Sequence, residues 1–139
     1  MSVERGRPID LAERARSIPF LRHLGIELGD FRPGLARMYL QIGPEHRNFL
    51  GTLHGGATCS LIDTVTYFAM RPMLNEDLPL LTLEMKVNFL RPIREGRITA
   101  EAEVLHAGRK VMVAQVRVTD SEGGLCAFGT VTCFVVSQD

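Results

Sequence analysis

The sequence has no excess of charge of either sign: 16 Lys and Arg are balanced by 16 Asp and Glu, and the formal net charge is zero. That removes the broad electrostatic grip on which nucleic-acid binding rests, so no nucleic-acid partner is expected. The opening residues, MSVERGRPID, lack the apolar core of a signal peptide. No apolar run is long enough, or free enough of flanking loop signals, to make a convincing membrane span. No membrane partner is expected, and the expected location is cytoplasmic. Cysteine is scarce: Cys59, Cys126 and Cys133 form an odd set without CxxC spacing. Neither a disulfide framework nor a zinc site has support, and buried free thiols are expected. No pair of histidines has metal-ligand spacing, so no metal is expected. Repeats and low-complexity linkers are absent, and 139 residues suit one domain with one core.

What is there is organised around residues 52–70, TLHGGATCSLIDTVTYFAM. Asp63 is the only charged side chain between Gly55 and Met70. Arg71-Pro72 stops the run, because proline disfavours helical geometry in the residue before it. A helix apolar on every side must be wrapped by protein or lipid. The expectation is a buried central helix with one carboxylate inside it. Around it the pattern is different. Residues 26–31 read as a first strand, 32–34 as a turn and 36–42 as a half-buried strand. Period-two alternation returns at 81–89, 98–104 and 112–118, and a long strand follows at 125–136. Short connections predict an antiparallel meander for these last four strands. At the start, residues 1–7 are polar and expected to be loose, and Asp10 with Glu13 predicts a capped short helix. The expected division is an N-terminal segment over 1–20 and a single domain over 21–139. The fold class is α+β, an antiparallel sheet curled around one helix. A second subunit would cover what the sheet leaves bare.

Gly55 and Gly56 lie where a helix presents free N–H groups and partial positive charge. A ligand oxygen could approach closely, as in an oxyanion hole; equally, the glycines could simply let the chain turn. Asp63 is either a structural carboxylate bonded to a nearby hydroxyl or a general base or nucleophile. It stands eight residues past Gly55, roughly 12 Å along the axis. A carbonyl held by the Gly55 amide would lie about 3 Å from its donor, so one helix cannot readily offer both groups to one atom. Two antiparallel helices across a two-fold axis could. The arithmetic predicts a site shared between subunits.

The run NFLGTLHGG at 48–56, followed by Asp63, resembles the signature of the hotdog-fold thioesterases, in particular the PaaI-like acyl-CoA thioesterases. TLEMKVNFLRP at 82–92, HAGRK at 106–110 and DSEGGLCAFGTVT at 120–132 also match. The resemblance covers most of the chain after about residue 20. It implies a hotdog fold and hydrolysis of an acyl-CoA thioester, with coenzyme A as part of the substrate and no separate cofactor. It implies that the Gly55 amide polarises the carbonyl. Asp63 of the facing subunit then activates water or attacks. Asn48 helps to place the carbonyl or the water, His54 supports the loop near the thioester, and Thr82 helps to hold the water. Gly56, beside the oxyanion donor, is expected to contact the substrate. Arg91, Gly108, Arg109 and Lys110 fall where relatives contact the nucleotide end of coenzyme A. The resemblance also implies a homo-oligomer, a dimer or a dimer of dimers, the latter being common in the family.

Elementary chemistry agrees. A thiolate leaves readily, so hydrolysis mainly needs an oxyanion donor and an activated water. Arginine meets phosphate with a rigid donor fork. Arg109 and Lys110 would otherwise be a solvated hairpin turn, and His46 and His106 read as surface or turn residues. Thr82 is bulkier than the serine of relatives, and Tyr67, Phe68 and Met70 would line the acyl pocket in a way of this chain's own. The competing readings are an acyl-CoA-binding module without catalysis and a hydratase or dehydratase on the same scaffold.

Overall fold

The computed structural model describes residues 9–75 and 77–137; the segment expected to be loose, 1–7, lies outside them. Two short helices open the described chain, α1 (Leu11–Ser17) and α2 (Pro19–Leu24). Asp10 caps α1 by accepting from the Glu13 N–H at 3.1 Å, as the sequence predicts. Gly25, at φ 76°, ends α2 in the left-handed region where glycine costs least. Strands β1 (Ile26–Arg32) and β2 (Leu35–Gln41) follow, then the long helix α3 (Gly55–Met70). The chain ends with β3 (Leu80–Phe89), β4 (Arg97–Ala107), β5 (Val111–Thr119) and β6 (Leu125–Val135). All neighbouring strands run antiparallel, in the order β1-β2-β4-β5-β6-β3.

The order corrects one expectation. β4, β5 and β6 form a meander, but β3 pairs with β6 at the far edge and not with β4. Residues 90–96 are a crossing, not a hairpin. Their carbonyls bond outside any hairpin ladder: the Leu53 N–H donates to Ile93 O at 2.7 Å and the Ile42 N–H to Gly96 O at 2.9 Å. Pro92 has no N–H to give to a ladder. The crossing therefore runs over the start of α3 and delivers the chain beside β2.

Alternation puts Ala36, Met38 and Leu40 of β2, Ile98, Ala100 and Ala102 of β4, and Met112, Ala114 and Val116 of β5 on one buried face. Against it lie Leu61, Ile62, Val65 and Phe68 of α3, none of them exposed. Burying a side chain such as Phe68 is worth roughly 1.5–3 kcal/mol. At Gly129 of β6 a Cβ would stand 3.1 Å from Ile62 and from the Lys86 carbonyl, so helix and sheet meet there too closely for a side chain. Leu11, Ala15 and Leu21 join the same core. The expected boundary after residue 20 falls inside α2, and residues 9–24 pack as part of the domain. An antiparallel sheet wrapped around one helix is the hotdog arrangement that the motif resemblance implies. Among the described residues no helix is long and apolar enough to cross a membrane.

The helix is not apolar all round, and this too corrects the sequence reading. Gly56 and Asp63 are exposed, and Cys59, Ser60, Thr64 and Tyr67 are half-buried. Their spacing of three and four residues draws one stripe along α3. Glycine, cysteine and threonine are small enough to hide this stripe from a hydropathy reading. Phe68 and Met70 face the core with no exposure, so of the three side chains expected at an acyl pocket only Tyr67 faces the stripe.

The far end of α3 is clasped by charge. Arg14 of α1 donates to both Asp77 oxygens, at 3.1 and 2.9 Å, and to the Tyr67 hydroxyl at 2.6 Å. Arg71, with a side chain only 4% exposed, approaches Asp77 at 3.2 Å. The hydrogen bonds from Arg14 hold the Asp77 carboxyl below its usual range, against a smaller opposing cost of burial. Because the folded value is depressed, the clasp stabilises the protein above the ordinary carboxylate pKa of about 3.9 and stops doing so as pH falls through the lower folded value. Asp77 is 48% exposed, so the gain is at most about 1 kcal/mol. Thermal melts of wild type and Asp77→Asn should differ by a few degrees near neutrality and converge as pH falls through the lowered value of the folded state. A gap that is constant with pH would contradict this.

Candidate active site

The loop before α3 ties itself in place. The Asn48 Oδ1 accepts from the Leu50 N–H at 3.0 Å and the Thr52 N–H at 3.2 Å, and Nδ2 donates to Thr52 Oγ1 at 2.9 Å. This is an asparagine turn, closed by Gly51 at φ 77°. The amide to which the family resemblance gives a role at the carbonyl or the water is here largely committed to its own loop. His46, expected as a surface or turn residue, lies in the short 3₁₀ turn Pro44–His46 but is buried there, with 4% exposure. Its Nδ1 accepts from the Gly43 N–H at 2.9 Å and its Nε2 lies 2.6 Å from the Leu24 carbonyl. With Nδ1 accepting, the proton sits on Nε2 and is donated to Leu24. His46 is thus a peg under the loop, and its own carbonyl accepts from the His54 N–H at 2.8 Å.

His54 is the N-cap of α3. Its Nδ1 accepts from the Gly56 N–H at 2.8 Å. That bond separates the two glycines. The Gly56 amide is used by the cap, whereas among the described residues nothing accepts from the Gly55 N–H. The first turn of α3 holds no acidic residue, so nothing there offsets the positive end of the helix. Gly55 lines a cavity of about 370 Å³ with Asn48, Thr58, Phe89, Arg91 and Cys126, and Arg91 is the one charged side chain in its wall. A Cβ at Gly55 would stand 3.3 Å from the Phe89 ring.

Asp63 lies two turns further along α3, with its side chain outside the cavity that Gly55 lines. The Thr82 hydroxyl of β3 donates to Asp63 Oδ1 at 2.6 Å. The family resemblance implies that Thr82 holds the water; in the structure its proton holds the carboxylate, and its lone pairs remain. The Cys133 Sγ stands 4.0 Å behind the Thr82 hydroxyl, and burial pushes that thiol up from its ordinary value. Thr82 sits on an edge strand, and Leu81, Leu83, Phe89 and Leu90 beside it are all more than half exposed. The Gly55 amide and the Asp63 carboxylate thus lie on one helix but face different spaces.

Arg91 is held rather than free. Its Nη2 donates to Asp120 Oδ2 at 2.6 Å, while Asp120 Oδ1 accepts from the Glu122 and Gly124 N–H groups at 3.0 and 2.8 Å. The Gly124 N–H bond above all keeps the Asp120 carboxyl below its usual range. Gly108, Arg109 and Lys110 form the turn between β4 and β5 and do not line the cavity beside Gly55. Asp120 gains no catalytic or binding role from the sequence, whereas Tyr67 is expected there only as part of the acyl-pocket lining, not as a partner of Arg14. A signal for Tyr67 exists, since four residues on from Asp63 is the same helix face; for Asp120 it is only a hairpin turn. Among the described residues no three His, Cys, Asp or Glu side chains gather to hold a metal ion.

Known proteins share both sequence and shape. Residues 50–127 match the Thioesterase superfamily. Thioesterase HI1161 from Haemophilus influenzae is 29% identical, with a TM-score of 0.85 covering 91% of this chain and 88% of that one. A mutant form of the phenylacetic acid degradation protein PaaI from Thermus thermophilus is 27% identical, with a TM-score of 0.79 over 86% of this chain and 100% of that one. The proofreading thioesterase EntH of Klebsiella pneumoniae is 29% identical over 104 residues, 75% of this chain and 76% of EntH. The family match, spanning more than half of the sequence, and the shared sheet around one helix place this chain in the thioesterase superfamily.

Proposed function

We propose that the protein hydrolyses acyl-CoA thioesters at sites shared between two subunits. The observation that carries this reading is the pair of prepared groups: a Gly55 N–H with no acceptor among the described residues, and an Asp63 carboxylate held by Thr82. The thioester carbonyl oxygen accepts from the Gly55 amide, which stabilises the charge that grows there. Asp63 of the partner subunit takes a proton from water as water attacks the carbonyl carbon, or attacks that carbon itself and is released by water. The carbon–sulfur bond breaks and the thiolate of coenzyme A departs. Arg91, fixed by Asp120, offers a cation at the cavity through which the thiol leaves. His54 and Asn48 shape the loop that presents the amide.

Pairing is favoured by the bare edge of β3 and the apolar side chains around it, since an exposed edge with Leu81 and Leu83 is a template for a second strand. A dimer of dimers would extend the same assembly. Incubation with a panel of acyl-CoAs and a thiol reagent tests the activity. Thiol release by wild type is expected. Tight binding without release would indicate a binding module, and hydration of an enoyl-CoA a hydratase. Mixing Asp63→Ala with Gly55→Pro chains tests the sharing. Each is inactive alone, and random re-pairing should restore about a quarter of the activity, because half of the dimers then carry one intact site of two. No recovery in confirmed mixed dimers would overturn the shared site.

A further inference from the structure

The Arg14, Asp77 and Tyr67 clasp lies outside the chemistry just described, yet it is attached to it. Tyr67 follows Asp63 by four residues, so it lies on the same stripe about 6 Å further along the axis. Both side chains belong to one helix, so Tyr67 goes wherever Asp63 goes. In whichever subunit pairing the carboxylate reaches a thioester carbonyl, the tyrosine ring stands one turn beyond it.

The carbonyl carbon has two substituents. The sulfur and its phosphate-bearing tail suit the cavity beside Gly55, whose one charged wall residue is Arg91. The acyl group must leave in another direction. Along the stripe Asp63 is flanked by Ser60 and Cys59 on one side and by Thr64 and Tyr67 on the other, all half-buried. In an antiparallel pair the partner's helix runs alongside the first two, so the stretch left open to the acyl group is Thr64 and then Tyr67. The ring is fixed at two places. It meets Phe68 edge-on, with centroids 5.1 Å apart, and its hydroxyl takes the 2.6 Å bond from Arg14. Arg14 is in turn locked by two bonds to Asp77, in the segment leading into β3, the strand that carries Thr82. A tyrosine so held cannot swing aside for a longer chain.

Resting on the thioesterase reading, we propose that Tyr67 is the end wall of the acyl site and restricts the substrate to short or single-ring acyl groups, with Arg14 as the positioning residue that keeps the wall closed. Because Arg14 sits on α1, the N-terminal helix sets specificity without touching the reacting atoms.

The test compares kcat/KM over a series of straight-chain acyl-CoAs from acetyl to dodecanoyl, with benzoyl-CoA, for wild type, Tyr67→Ala, Tyr67→Phe and Arg14→Leu. Wild type should favour the short and aromatic members. Tyr67→Ala should raise the ratio of long-chain to short-chain kcat/KM by at least about tenfold, the worth of one or more methylenes in an apolar pocket. Tyr67→Phe and Arg14→Leu should each raise it by a smaller and similar factor, since both lose the same bond. The ratio is read within each variant, so a general loss of folding or turnover cancels from it, and a merely structural role for the ring would leave it unchanged. If Tyr67→Ala does not fold, Tyr67→Leu decides by the same ratio. An unchanged ratio in a folded, active variant overturns the wall and leaves the thioesterase reading standing. A wild-type protein that releases no thiol from any member overturns that reading itself.

Discussion

Asp63→Asn should lower kcat for thioester hydrolysis by about 10³-fold, within the range expected for loss of a positioned base. The substitution is informative because it alters so little else. An asparagine Oδ1 can still accept from the Thr82 hydroxyl that now stands 2.6 Å from the carboxylate. The side chain keeps its length, its place on the exposed stripe and its anchor on β3. What it loses is the ability to take a proton from water or to attack as an anion. KM should therefore move only a few-fold, since the interaction removed is one that matters in the transition state. The melting temperature should not fall. The measurement is thiol release under saturating acyl-CoA, beside a thermal melt and a sizing run. A variant retaining more than about a tenth of wild-type kcat, with the fold intact, would remove Asp63 from the chemistry.

Gly55→Pro should give the second large effect: an expected fall of about 10²–10³-fold in kcat, the usual consequence of deleting one oxyanion donor. Proline is well suited to this test. Gly55 is the first residue of α3, the one helical position where proline fits without disturbing the backbone. The preceding residue, His54, already has φ −63° and ψ 133°, the extended geometry that a following proline requires. The N–H that proline lacks has no acceptor among the described residues, so no structural bond is broken. Gly55→Ala is the control. It keeps the amide, and its Cβ would press on the exposed Phe89 ring at 3.3 Å, which that side chain can relieve. Loss of activity in the proline variant with near-normal activity in the alanine one would assign the donor. Equal losses in both would point to shape, not to the hydrogen bond.

These expectations depend on residues of unequal visibility in the sequence. The strands are legible because alternation and burial share one cause: Met38, Ala100 and Ala114 point at α3, and their neighbours do not. The place of β3 is not legible. Alternation says that Leu80–Phe89 is a strand, but the partner of a strand depends on where a crossing such as 90–96 lands. The stripe on α3 is hidden because Gly56, Cys59 and Thr64 are small rather than charged, and the helix therefore looks buried on every side. Asp63 stands out in the sequence for the wrong environment, since it is exposed in the chain and not enclosed. The cap that separates Gly55 from Gly56 lies in the ring orientation of His54, which no residue spacing encodes. The clasp at Tyr67 joins residues 53 and 63 positions apart, beyond the reach of any local pattern.

The main-chain origin of the N–H at residue 55 bears on how this protein can change over generations. A group that belongs to every residue but proline survives almost any codon change at that position, so drift there is limited by bulk. The carboxylate has no such insurance, because a single nucleotide change can erase it. On the proposed chemistry, a lineage that loses the activity should therefore fall silent at Asp63 first, while the other half of the apparatus persists as an inert fossil.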